Sequence, residues 1–111
     1  MKRAEEDLLV IAAQKGSREA FEALYRFHRM PLARFAYREC GDEQVALDAV
    51  QDAWITLSRT LRKLNDPRSF RSWAYKTVKW RVYDLLRRQV KEISVAEVEA
   101  ERRAENSTCG E

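Results

Sequence analysis

FRSWAYKTVKWRVYDLLRR, residues 70–88, carries two faces when read at helical period. Phe70, Ala74, Val78, Val82 and Leu85 recur at spacings of three and four, the stripe of a helix side turned to a core. Lys76, Lys79, Trp80, Tyr83 and Arg87 share the other side. A solvated face gains nothing by exposing an indole, and a core face does not accept lysines. A surface that neutralises phosphates while stacking rings on bases needs both residue types together. The alternative packs Trp80 and Tyr83 beneath a neighbouring helix, with the lysine stems lying around them.

The 111 residues suffice for one domain with a modest core. Three glycines and two prolines among abundant Ala, Leu, Glu and Arg point to an all-α chain, a compact bundle of three to four helices. No stretch approaches the roughly 20 apolar residues that span a bilayer, and no secretory leader is evident, so no membrane partner is expected. The two cysteines, Cys40 and Cys109, are far apart, which argues against a disulfide framework and for a reducing, cytoplasmic setting. One histidine, His28, leaves no zinc-ligand spacing, and no metal site or cofactor is expected. His28 lies on an apolar stripe and reads as a packed, hydrogen-bonded residue.

The formal charge of +3 conceals a segregation. Residues 39–57 hold five acids and no base, whereas residues 58–91 hold eleven basic residues against Asp66 and Asp84. An acidic segment directly before a basic one suggests two surfaces for two partners, a basic protein and a nucleic acid.

Upstream, Asp7 is a candidate cap for a short helix at residues 8–14, in which Leu8, Leu9, Ile11 and Ala12 cover one end of the core before Gly16 stops it. Ser17 caps the next, whose stripe Phe21, Leu24, Tyr25, His28, Leu32, Phe35 and Ala36 reaches Cys40; Pro31 interrupts it, and a single bent helix is expected. Gly41 ends that helix and Asp42 caps a third, expected to run to about Leu64. Val45, Ala46, Ala49, Val50, Ala53, Leu57, Leu61 and Leu64 form its buried side. Asp48, Gln51, Asp52 and Ile55 form the opposite side. Ile55 sets an apolar centre in a polar rim, as small protein interfaces do.

LNDPRS, residues 64–69, is the clearest break, since Asp-Pro disfavours helix before it and presets the first turn after it. Arg59, Arg62, Lys63, Arg68 and Arg71 flank it, so loop and following helix can share one ligand. The helical domain is expected over residues 1–91. Residues 92–111 form an acidic tail, helical in its first part and disordered over 105–111.

FEALY at 21–25, GD at 41–42, ALDAVQDAW at 46–54, FRSWA at 70–74 and DLLRR at 84–88 occur in this order. Together they resemble region 2 of the sigma-70 family of initiation factors, with the nearest likeness to the extracytoplasmic-function (ECF) group. The resemblance covers about residues 8–90. It implies a transcription initiation factor domain that binds core RNA polymerase and melts the promoter −10 element. By motif match, Asp48, Gln51 and Asp52 fall on the helix that docks on the clamp coiled coil of the polymerase β′ subunit, and Ile55 joins them from its position on that face. The loop, with Asn65 and Arg68, and then Arg71, Lys76, Lys79, Trp80, Tyr83 and Arg87 are expected to contact the non-template single strand. An anti-sigma factor is a further expected partner.

Two positions depart from the family pattern: Leu47 stands where Glu is frequent, and Trp80 where Asn is frequent. No helix-turn-helix follows residue 88, and the acidic tail resembles the start of an interdomain linker, so an excised domain is expected. No nucleophile–base pair and no glycine-rich phosphate loop occur, so no catalytic residue is expected. The competing reading is a helical protein-interaction module, an anti-sigma decoy or adaptor, that uses the acidic face and does not bind DNA.

Overall fold

The computed structural model describes residues 1–109, with side-chain surroundings through residue 93 and at 95 and 97–99. Four helices follow one another: α1 (Arg3–Gln14), α2 (Arg18–Cys40), α3 (Glu43–Thr60) and α4 (Phe70–Cys109), with 3₁₀ turns at Leu61–Lys63 and Pro67–Ser69. Among the described residues there is no strand. No helix there is long and apolar enough to cross a membrane.

The helix boundaries follow from local chemistry. Ser17 Oγ accepts from the Ala20 amide at 3.2 Å, satisfying one of the donors that a helix start leaves free. Gly41 ends α2 in the left-handed region, φ +68°, and its amide returns to the Tyr37 carbonyl at 2.7 Å. Asp42 Oδ1 then accepts from the amides of Gln44 and Val45 at 2.9 and 3.2 Å. Pro31 sits inside a continuous α2, as the single-helix expectation has it. Its ring leaves the Phe27 carbonyl without its helical donor, at a position where Phe27 is exposed.

The core joins all four helices. Val10, Leu24, Leu32, Leu57, Phe70, Val78 and Val82 are its largest fully buried side chains, each contributing about 1.5–3 kcal/mol by leaving water. Trp54 lies against Phe21, Tyr25 and Phe70 with ring centroids 5.4, 5.3 and 6.2 Å away. Its Nε1 is buried without a hydrogen-bond partner among the described residues, which costs about 1–3 kcal/mol.

Three expectations change. Helix α1 begins at Arg3, upstream of Asp7, and Lys2 at its start supplies no side-chain cap. Its buried edge is Glu6 and Val10, while Leu8 and Ile11 are exposed. The register turns because Glu6 has partners in the core, so a carboxylate takes a position that hydropathy assigns to solvent. Helix α3 ends at Thr60 and tightens into a 3₁₀ turn, rather than running on to Leu64. Helix α4 continues through Cys109 instead of giving way to coil over 105–109; the good helix formers lie just before, at 96–105, and no Gly or Pro intervenes to stop the helix before residue 110. The rest of the expected coil, residues 110 and 111, lies outside the described residues.

This register makes a testable contrast. Glu6→Ala, which leaves the buried His28 Nε2 without its partner, should lower unfolding free energy by about 1–3 kcal/mol, whereas Leu8→Ala should change it by less than about 0.5 kcal/mol. Urea titration of both variants checks it, and equal losses would contradict the assigned face.

Candidate nucleic-acid and protein interfaces

On α4 the buried stripe of Phe70, Ala74, Val78 and Val82 fixes the rotation of the helix, and the opposite side is thereby committed to solvent. Trp80 is 60% exposed and Tyr83 40%. Lys76, Lys79 and Arg87 are exposed around them. Lys79 Nζ stands 5.8 Å over the Tyr83 ring, a cation–π approach that holds the phenol outward. Arg87 Nη2 bonds Asp84 Oδ1 at 3.2 Å; both partners are solvated, so the pair is weak and exchangeable.

Trp73 is the residue that sequence reading missed. It precedes Lys76, Trp80, Tyr83 and Arg87 in one run of spacings three, four, three and four, which could have revealed it. At the head of this stripe, Trp73, Leu64, Lys63, Thr60 and Thr56 line a cavity of about 330 Å³ between the end of α3, the loop and α4. Thr60 Oγ1 donates its proton to the Thr56 carbonyl at 2.8 Å, leaving its lone pairs to accept. Arg81 Nη2 bonds Thr56 Oγ1 at 2.8 Å and so ties α3 to α4 beneath the cavity.

In the loop, Asn65 and Arg68 are exposed. Asp66 accepts from the Arg68 amide at 3.0 Å and from its guanidinium through both carboxylate oxygens at 3.2 Å. Hydrogen bonding to Arg68 holds the Asp66 carboxyl below its usual range. Arg71 is placed differently from its neighbours: its Nε reaches Glu6 Oε2 at 3.3 Å, and its side chain is 42% exposed. Glu6 in turn pairs with His28 Nε2 in the interior. One buried carboxylate thus ties α1 to α2 and α4.

On α3, Gln51, Asp52 and Ile55 are exposed and Asp48 is half-buried. Asp48 Oδ1 accepts from Gln44 Nε2 at 3.0 Å. Among the described residues neither Asp48 nor Asp52 is in an ion pair. Ile55 is 47% exposed and Leu47 51%, so this acidic face has two apolar points rather than one. Beyond Leu47 the face continues across to α2 through an open notch of about 430 Å³, where Met30 and Tyr37 are also exposed. On α2 this outward run lies beside the longer core stripe.

The structure therefore brings together two sets. Lys76, Lys79, Trp80, Tyr83 and Arg87 share one face of α4 beyond the loop, and Asp48, Gln51, Asp52 and Ile55 share one face of α3. Residues 24–92, well over half of the chain, match the model of the family described as Sigma-70 region 2. The chain belongs to that family. As a sigma region 2 it is part of the transcription initiation machinery, working with core RNA polymerase and promoter DNA. No curated protein and no solved structure matches it. The family match begins inside α2, so α1 lies outside it, and it ends at Glu92, early in the α4 extension.

The interior of this region 2 carries a pH dependence. Burial holds the His28 imidazole below its ordinary 6.5, against the pull of Glu6. The unfolded chain therefore takes up a proton near pH 6.5 that the folded chain resists, and stability should fall as pH drops from about 6.5 toward 5. Thermal melts across that range check it. His28→Gln should flatten the slope, and an unchanged slope would assign it to other groups.

Proposed function

We propose that this sigma region 2 works as an ECF-type domain that docks on the β′ clamp coiled coil through α3 and holds the opened non-template strand of the −10 element along the loop and α4. Asp48, Gln51, Asp52 and Ile55 form the polymerase contact: two carboxylates without ion-pair partners among the described residues offer charge to a basic helix pair, and Ile55 with Leu47 gives the patch its apolar centre. Leu47 replaces a charge with packing at this contact. Asn65, Arg68, Lys76, Lys79 and Arg87 neutralise backbone phosphates, Trp80 and Tyr83 stack on unpaired bases, and Arg71 contributes its exposed guanidinium edge where the loop meets α4. The cavity beside Trp73 has the size and lining for an extruded base.

The observation that carries this reading is the exposure of an indole and a phenol among three cations on a single helix face. Stacking is worth about 1–3 kcal/mol per base, so two rings match or exceed the roughly 1.4 kcal/mol of a duplex base step. Such a surface traps melted DNA without an ATP-driven step.

Capture on immobilised core polymerase tests the first contact: wild type should be retained, and Asp48→Arg and Gln51→Ala should be depleted. Fluorescence anisotropy of the polymerase complex with single-stranded −10 oligonucleotides tests the second. Trp80→Ala should weaken binding about five- to hundredfold with an unchanged salt slope, and Lys76→Ala should lower the log–log slope by about 0.7. Capture indifferent to Asp48→Arg, with strand binding indifferent to Trp80→Ala, would overturn the proposal.

A further inference from the structure

Helix α1 is outside the family match, yet apart from the Glu6–His28 pair its long-range side-chain hydrogen bonds converge on the segment that precedes and opens α4. The shortest come from Gln14, the last residue of α1. Its Nε2 donates to the Leu64 carbonyl at 2.7 Å and to the Leu61 carbonyl at 3.1 Å, so one amide group grips both ends of the 3₁₀ turn Leu61–Lys63. Gly16, at φ +102°, lets the chain turn away immediately after this contact, a conformation that side chains disfavour. Eight residues earlier, about 12 Å along the helix, Glu6 holds Arg71 just beyond the loop. The segment between is held mainly by Asp66, which accepts from the amide and guanidinium of Arg68 and from the Ser69 amide, and by one long contact from α1, Arg3 Nη2 to the Arg68 carbonyl at 3.5 Å.

A loop that reads bases through directional contacts loses selectivity when its backbone is free to sample other arrangements. We propose that Gln14 is a positioning residue for strand recognition: its amide fixes the backbone of residues 61–64 and so sets where Lys63, Leu64 and the following Asn65 and Arg68 present themselves. The inference rests on the reading of the loop as a DNA contact. A leucine or methionine at position 14 could fill the same space. Only a side chain with two donors can hold both carbonyls, and that separates positioning from packing.

The test uses the chain assembled with core polymerase and a pool of single-stranded DNA randomised across the −10 stretch, with bound strands read by sequencing. Gln14→Met keeps length and apolar contact but has no N–H. It should leave polymerase capture and melting temperature close to wild type while base enrichment falls about tenfold, the loss of roughly 1.4 kcal/mol of selectivity. Gln14→Lys, whose ammonium offers donors to both carbonyls, should recover most of the enrichment. Amide hydrogen exchange of the free chain should quicken over residues 64–70 in Gln14→Met and stay slow in the core of α3. Unchanged enrichment and exchange in Gln14→Met overturn the inference. So does parallel loss of capture, melting temperature and enrichment, the mark of a packing role. No enrichment by the wild-type complex overturns the functional reading itself, and the inference with it.

Discussion

The seam between α3 and α4 is the constraint on which the rest depends. Phe70, Ala74, Val78 and Val82 on one helix and Ala46, Ala49, Ala53 and Leu57 on the other are all buried and lie on the apolar stripe of each helix. Once those stripes face inward, helical geometry leaves no freedom for the opposite sides. The acids of α3 and the cations and rings of α4 must face solvent, whatever else the chain does. Two outward faces of opposite character thus follow from one inward seam, and the Arg81–Thr56 bond fixes the two helices to each other beside it.

Much of this was readable from residues alone, because the relevant stripes are long and periodic. Every residue assigned to the inner side of α3 is buried except Leu64, which lies in the loop and is half-buried. Ser17 and Asp42 start helices through their side-chain acceptors, and Gly41 ends one through its left-handed backbone, where each was expected to. Trp54 was not legible: it sits at the edge of the α3 stripe, and only the rings of Phe21 and Tyr25 from α2 decide that it turns inward. Glu6 failed for a related reason. A carboxylate reads as solvent-facing until its partners are known, and these lie 22 and 65 residues away. Trp73 shares a stripe with Trp80, but its partial burial comes from the loop and the end of α3, which periodicity does not register. In the α4 extension, apolar spacing set the expected end of the helix, whereas backbone propensity carries it on, with Val90, Ile93, Val95 and Val98 exposed.

The family relation and the physical account support each other at different levels. Membership assigns the chain to transcription initiation, and the side chains say how this particular member is equipped for it. Leu47 adds an apolar point to a face whose other members are Asp48, Gln51 and Asp52, and the exposed Met30 and Tyr37 extend it onto α2. On the proposed reading, Trp80 puts a stacking surface where the family often has a hydrogen-bonding amide, which favours sequence-tolerant capture of a strand over base-edge readout. Selectivity would then rest more heavily on the loop, and the brace from α1 gains importance accordingly.

The most direct test of two faces serving two macromolecules is site-specific photocrosslinking within one promoter complex. A photoreactive residue in place of Ile55 should crosslink to the polymerase β′ subunit and not to DNA. The same residue in place of Tyr83 should crosslink to the non-template strand of the opened −10 element. Crosslinking of position 83 to protein alone, or of position 55 to DNA, would contradict the account.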